Sequence, residues 1–430
     1  MSIEVRSPLE SIEAAVRDRA KDVTLEMDGP DALEALRSLI AEEVARWSLD
    51  HRRGLHPYDL AEPDIVIERA FRNLAGYGPL GPLLDDDDVW EIMINAPDQI
   101  FAKRHLGTSG YHDEVFHDDE HVVRTLTKIL DDASTSHRKL DPAEGLQDAQ
   151  LDNGSRLHIV HGDVSRGGHV MVNIRKFTGV SFHDLRQLVD RSMLTAQAAD
   201  LLTACVKARL SIVVAGAPGS GKTTLLSCCA AELDPSLRVV VAEEVFEADV
   251  PVPNVASMQT RAARPDRPGV DLRKLVSGFL RMAPDVAIVG EVRDREALPL
   301  LLTLSSGVKG FTTIHAGSAR QALTRLRFIC QLAETSSQLP LSALNTLVSE
   351  SIDIVVHCER TLDGPRVTEI IAVEDLASSA EAAQFTVTSL FERAGPEGTL
   401  AWTGNLPVRA DRALRDVGLE VRSFGLGAPR

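Results

Sequence analysis

The residues best equipped for chemistry stand in one short run. Gly216 to Thr223 reads GAPGSGKT, which satisfies the spacing GxxxxGK[ST]; it follows the apolar segment SIVVA and opens a helical one, TLLSCCAAEL. Strand, glycine-rich loop and helix in that order is the context that gives the spacing its meaning. The glycines let successive backbone N–H groups turn inward around the α- and β-phosphates of a nucleotide, and the helix N-terminus adds the positive end of its dipole. Gly216, Ala217, Pro218, Gly219, Ser220, Gly221, Lys222, Thr223 and Thr224 are therefore the expected nucleotide-binding residues. Lys222 is expected to reach the β- and γ-phosphates, and the Thr223 hydroxyl to take a place on Mg²⁺.

Three further runs carry acid, base or proton-shuttling side chains. Glu243, Glu244 and Glu247 follow the apolar segment RVVVA, so at least one carboxylate is expected at the sheet edge, where it would orient or deprotonate an attacking water; an acidic surface turn is the alternative. DVAIVGE ends a second apolar segment on Glu291, a position suited to organising Mg²⁺ or its water shell, and Arg293 and Asp294 follow. FTTIHAGS ends a third on His315, with Thr312, Thr313 and Ser318 beside it. A satisfied structural histidine is the alternative there.

The elements that must position these groups are legible from periodicity. Between residues 195 and 375 short apolar strands alternate with helical stretches, and each strand ends in a polar or reactive residue, the pattern of an open parallel sheet with its site at the strand C-termini. Before it, residues 59–180 read as a smaller mixed α/β domain. It has a strand at VWEIMIN, a helix between Glu120 and Asp132, and two strands around LDNGSRLHIVHGD and HVMVNIRKF. Residues 1–58 form a charged helical arm, 181–194 a linker, and 376–430 a small extension with a hairpin and a short helix. GYGPLGPLL, Gly76 to Leu84, reads as turn chemistry.

Two other clusters invite a metal and are assigned none. Asp85 to Asp88 are consecutive, and consecutive side chains do not converge on one point in a helix or strand. Of His112, His117 and His121, set among Asp113, Asp118, Asp119 and Glu120, only His117 and His121 share a helical face.

Composition narrows the class. The chain has 430 residues, with 44% hydrophobic and 25% charged, which suits two or three folded units at about 150 residues each. Aromatics are only 4%, so the core must be built from Leu, Val, Ile and Ala. The net charge of −17 opposes phosphate backbones in bulk and disfavours a general nucleic-acid binder. Five cysteines show no zinc or disulfide spacing, the N-terminus is charged where a signal peptide is apolar, and apolar runs such as Leu298 to Leu304 fall far short of about 20 residues. A cytoplasmic protein without a direct membrane span is expected.

The ordered set GAPGSGKT, AEEVFE, RMAPDVAIVGEVRD and GFTTIHAGSARQALTRL resembles the type II and type IV secretion ATPase superfamily, and within it the CpaF-like ATPases of tight-adherence (Tad) pilus systems. The resemblance extends over GYGPLGPLL, EIMINAPDQIF, LDNGSR, NIRKF, MQTRAARPD and LVSESIDIVVHCERTLDGPRVTEI, from about Gly76 to Val373. It implies an N-terminal domain hinged to a RecA-like P-loop motor domain, a hexameric ring, and ATP with Mg²⁺ bound between the two parts.

Carried over by position, Lys222 and Thr223 are the Walker A pair, and Glu247 is the catalytic glutamate of an acidic box with Glu243 beside it. Glu291 is the Walker B glutamate and a Mg²⁺ site residue, and His315 is the histidine-box residue that senses the γ-phosphate or positions water. Arg156 and Arg175 match arginines brought to the phosphates from the N-terminal domain. The implied work is assembly or extrusion of pilin-like subunits through an inner-membrane platform protein, with the ring held to the membrane's inner face by partners. A conjugative type IV secretion ATPase and an ATP-binding ring scaffold with weak turnover are the alternatives. The chain departs from the pattern at Glu244, the second acid of a box that usually reads Glu-Asp, and at Val308 in SSGVKGF, where a histidine is common.

Overall fold

Strands with one apolar face build the first part of the chain, and strands apolar on both faces build the second. The computed structural model describes residues 7–22, 30–105, 107–133, 139–176, 182–261, 263, 267–333, 339–375, 384–395 and 398–426. They divide into two units, Met1–Thr178 and Gly179–Arg430.

In the first unit a capping box starts the first described helix. The Glu10 carboxylate accepts from the Ser7 N–H at 2.7 Å and the Ser7 hydroxyl from the Glu10 N–H at 3.2 Å, with Pro8 in the first helical position. Helix α1 (Pro8–Asp22) packs with α2 (Pro30–Arg52) and α3 (Pro63–Ala75) around Ile12, Val16, Leu36, Ile40 and Ala70. The expected arm is thus at least two helices, and Glu13 of α1 is buried against the rest of the unit, bonded to Asn73 at 2.7 Å and His117 at 3.1 Å.

GYGPLGPLL, expected as a turn, is a 3-10 turn over Gly78–Leu80 running into α4 (Gly81–Asp85). Pro79 and Pro82 sit at helix starts, where a missing N–H costs nothing. Six strands then form an antiparallel sheet: β1 (Val89–Ala96), β2 (Gln99–Arg104), β3 (Gly110–Tyr111), β4 (Leu146–Gln150), β5 (Arg156–Val160) and β6 (Met171–Arg175), in the order β3-β2-β1-β6-β5-β4. Helix α5 (Asp119–Asp132) is capped by Asp118, whose carboxylate accepts from the His121 N–H at 2.7 Å, and it covers the apolar face through Val122, Leu126, Ile129 and Leu130. His121 meets Phe116 edge-on at 5.1 Å, and no group of three metal-binding side chains forms among the described residues.

The second unit opens where a linker over 181–194 was expected. There, α6 (Leu185–Asp190) is capped by Asp184, and Leu185, Leu188, Met193 and Leu194 are buried, so this stretch is core rather than connector. The apolar spacing of LRQLVDRSML is that of a docked helix, which its short length and charges obscure. Helix α7 (Ala196–Lys207) follows and leads to the first central strand.

That strand, β7 (Ile212–Gly216), is buried at every position, as is β8 (Val239–Glu243), which is why both read as continuous apolar runs. Between them lies α8 (Lys222–Ala230). The rest of the chain supplies β9 (Val255–Gln259), α9 (Leu272–Val276), β10 (Val286–Val292), α10 (Ala297–Ser305), β11 (Lys309–Ile314), α11 (Ala319–Ala333), α12 (Leu341–Ser351), β12 (Ile354–Thr361), β13 (Gly364–Val373), β14 (Val387–Arg393), β15 (Leu400–Trp402) and α13 (Asp411–Asp416).

The sheet runs β15-β14-β13-β12-β7-β11-β10-β8-β9. From β12 to β9 the pairs are parallel, and from β12 to β15 they are antiparallel, so the expected open parallel sheet is mixed. Side chains alternate between its two faces. Ile212, Val214, Val239 and Val241 pack with α6, α7 and α8; Val213, Ala215, Val240 and Ala242 pack with α9 to α12. Residues of the expected extension join the first of these layers: Leu390, Phe391, Leu400 and Leu414 are buried in it. Among the described residues, no helix is long and apolar enough to cross a membrane.

Candidate functional site

Because β7, β8, β10 and β11 run parallel, their C-terminal ends share one edge, and that edge gathers the reactive residues. β7 ends at Gly216, whose φ is 152° and where a Cβ would stand 2.2 Å from the Cys358 carbonyl oxygen and 2.5 Å from Ser220 Oγ. Gly221, with φ at 84°, turns the chain into α8. Only glycine has this freedom without strain. The loop thus forms a tight backbone arch, with Lys222 at the first position of α8 and Thr223 and Thr224 directly after it.

Lys222 is only 7% exposed. Its Nζ donates to the Ala217 carbonyl at 2.9 Å and lies 3.3 Å from His315 Nδ1. The same Nδ1 lies 3.2 Å from the Gly216 carbonyl, and the other ring nitrogen, Nε2, stands 2.7 Å from Glu291 Oε1. The other Glu291 oxygen accepts from Arg293 at 2.8 Å, and Arg293 also donates to Glu244 at 2.6 Å. Lys222, His315, Glu291, Arg293 and Glu244 therefore stand in one continuous chain of polar contacts, contributed by four strand ends.

The electrostatics follow from this chain. Burial alone would raise the Glu291 carboxyl, but the bonds from His315 and Arg293 outweigh it and bring it down to about 2. Its bond to Glu291 raises Arg293 further, so both stay charged at neutral pH. A carboxylate held below its ordinary 4.5 adds stability that is present above that value and is lost as pH falls towards 2. Urea midpoints should therefore drop between about pH 5 and about pH 2.5 more steeply for the natural protein than for Glu291→Gln. Equal slopes would show that the chain of contacts does not hold Glu291.

The acidic box divides into two roles. Glu243 is only 3% exposed, and its Oε1 accepts from the backbone N–H of Glu247 at 3.1 Å and of Ala248 at 3.0 Å. It shapes the loop that presents Glu247. Gly290 makes room for it, since a Cβ there would lie 2.8 Å from Glu243 Cγ. Glu247 stands on that loop, close enough to Arg293 to add to its charge field.

The residues grouped with His315 in sequence do not gather around it. Thr312 and Thr313 are buried and donate to the carbonyls of Val289 and Gly290 at 2.8 and 2.7 Å, fastening β11 to β10. Ser318 caps α11, accepting from the Gln321 N–H at 3.1 Å. Val308 packs in the apolar layer under α10 to α12.

Arg293 is the functional residue that sequence reasoning underused. It stands two residues after Glu291, so the two side chains fall on one side of an extended segment, and that spacing was the available signal.

Arg156 and Arg175 lie in the first unit, directly opposite one another on β5 and β6, with Glu91 of β1 next in the row. Like charges at facing positions are destabilising unless an anion lies between or beside them.

The residue types on the loop suit a magnesium nucleotide. The Thr223 hydroxyl and the Glu291 carboxylate are hard oxygen donors of the kind Mg²⁺ takes, and Ser220 Oγ is buried without a hydrogen-bond partner among the described residues. One Glu291 oxygen accepts from Arg293 and the other lies against His315, which leaves the carboxylate lone pairs to organise a water shell.

The model of the type II/IV secretion system protein family matches residues 73–388, which include every residue placed in this site. The chain belongs to the type II/IV secretion system protein family. Among its relatives, the putative conjugal transfer protein Rv3659c of Mycobacterium tuberculosis is 31% identical over 308 residues, covering 70% of this chain and 85% of the relative. The conjugal transfer protein TrbB of Rhizobium radiobacter is 31% identical over 306 residues, covering 68% and 85%. Among solved structures, the VirB11 ATPase of the Brucella suis type IV secretion system is 26% identical, covers 68% of this chain and 94% of its own, and superposes with a TM-score of 0.36. The family match begins within α3, so α1 and α2 lie outside it.

Proposed function

We propose that this secretion-system protein is an ATP-hydrolysing motor of the CpaF-like kind, a hexameric cytoplasmic ring whose ATP-driven domain closure acts on an inner-membrane platform protein to assemble or extrude pilin-like subunits. The chain of contacts from Lys222 to Glu244 carries the reading. It brings the phosphate-binding cation, the histidine and the Walker B carboxylate together, and phosphoryl transfer needs positioning and charge stabilisation more than covalent chemistry.

In this mechanism the phosphate loop and Lys222 bind the β- and γ-phosphates. Glu247 orients the attacking water and accepts its proton. His315, once Lys222 turns to the phosphates, presents its Nδ1 edge towards the γ-phosphate while Nε2 stays against Glu291. Thr223 and Glu291 are the residues that would hold Mg²⁺, which would supply neutralising charge to the phosphates. Arg156 and Arg175 add guanidinium charge when the domains close, and this couples chemistry to movement.

The relatives named conjugal transfer proteins favour a second reading, a conjugative type IV secretion ATPase. One set of measurements decides. The purified protein should assemble to a hexamer with ATP and Mg²⁺, release phosphate, and gain no turnover from DNA. A persistent monomer would overturn the ring, and tight nucleotide binding with negligible turnover would make it a scaffold. Turnover stimulated by DNA in a salt-dependent way would turn the reading towards nucleic-acid transport.

A further inference from the structure

We propose that the β12–β13 hairpin is a positioning element for the phosphate loop and that Arg360 is the residue through which it acts. The inference rests on the nucleotide site described above and gives a role to a residue for which the sequence reading names none.

The hairpin meets the loop at each of its three glycines. The Cys358 carbonyl lies against Gly216, the Arg360 guanidinium donates to the Gly219 carbonyl at 3.2 Å, and Pro365 lies against Gly221, where a Cβ would come within 3.0 Å of the proline Cβ. Arg360 and Pro365 are partners in the β12–β13 ladder, so the second and third contacts come from a single rung. The hairpin is itself fixed from behind. The Val367 N–H donates to the Met193 carbonyl at 2.8 Å, and Arg366 donates to the Arg191 carbonyl at 3.0 Å. Thr361 closes the tip by donating to the Gly364 carbonyl at 2.9 Å.

A trans peptide sends its carbonyl oxygen and the following N–H in opposite directions. Holding Gly219 O outward on Arg360 therefore turns the Ser220 N–H to the other side, where the Ala217 carbonyl accepts it at 3.3 Å. Lys222 holds the same Ala217 carbonyl from within. The arch is pinned between two cations, one on each side. A loop set in advance spends less free energy on ordering when nucleotide binds.

Arg360 is a positioning residue, so its removal should raise Kd and KM for the nucleotide and leave turnover at saturation nearly unchanged. We expect Arg360→Ala to weaken binding of a fluorescent ATP analogue, and to raise KM for ATP, about tenfold, with kcat altered less than about twofold. Arg360→Lys, which keeps a charged donor, should recover most of the affinity. If Arg360→Ala fails to fold, as judged by melting without nucleotide, Arg360→Gln takes its place with an expected loss of about threefold or more. Unchanged affinity in the folded variant overturns the proposal, as does a fall in kcat at constant KM that Arg360→Lys does not rescue. Lys222→Ala, measured beside them, separates the two levels. If that variant binds and hydrolyses normally, the nucleotide site itself is wrong; if it loses both while Arg360→Ala matches the natural protein, only the hairpin's role is.

Discussion

Replacing Lys222 by alanine should abolish Mg²⁺-dependent phosphate release, with a loss of at least about 10³-fold in kcat/KM. The expectation follows from the side chain's position. Lys222 is buried at the start of α8, its ammonium reaches back over the arch to the Ala217 carbonyl, and it is the cation that touches His315. An incoming phosphate competes with the Ala217 carbonyl, a weaker partner for an ammonium than a phosphate oxygen. Without Lys222 the phosphates lose a charge-assisted donor in a site where water does not substitute well. The folded state should lose far less, about 1 kcal/mol for a hydrogen bond such as the one to the Ala217 carbonyl. Phosphate release measured beside urea denaturation tests both halves. Full activity would remove the basis for the motor.

The second large effect is expected from Glu291→Gln, which keeps the shape and removes the charge. Its carboxylate sits between His315 Nε2 at 2.7 Å and Arg293 at 2.8 Å, and those bonds hold it ionised. The amide leaves Arg293 facing Glu244 alone and gives His315 a weaker acceptor. Turnover should fall about 10²- to 10³-fold while nucleotide affinity changes little, since Glu291 acts on charge that develops during transfer. Single-turnover phosphate release together with analogue binding would show the split. Equal losses in binding and turnover would instead place Glu291 in ground-state recognition, and undiminished turnover would remove it from the chemistry.

Much of this site was legible before any fold was known. A glycine-rich loop after an apolar strand and before a helix constrains its own local geometry, because φ above zero at Gly216 and Gly221 and the start of a helix at Lys222 are properties of neighbouring residues. The strands that carry Glu243 and Glu291 at their C-terminal ends and the one that His315 directly follows were visible for a similar reason: strands buried on both faces must be apolar throughout, so polar residues at their ends stand out. What local pattern misjudged was packing. The stretch 181–194 looked like a connector because its helix is short and charged, yet Leu185, Leu188 and Met193 are core. Thr312 and Thr313 looked like site residues through adjacency, although their hydroxyls are spent on the carbonyls of β10.

The sequence by itself determined the phosphate loop, the order of the acidic and histidine segments, and the division into a smaller mixed unit and a larger sheet-based one, since each depends on residue types a few positions apart. Only the tertiary structure decided which acid does what. Glu243 turns inward to hold the Glu247 loop, whereas Glu244 reaches Arg293. The structure alone also showed Lys222, His315, Glu291 and Arg293 joined in one chain, and Arg360 on the outer side of the arch. Those partners lie far apart in sequence, and hydrogen bonds between them depend on which strands lie side by side and in what register, which no local pattern of residues encodes.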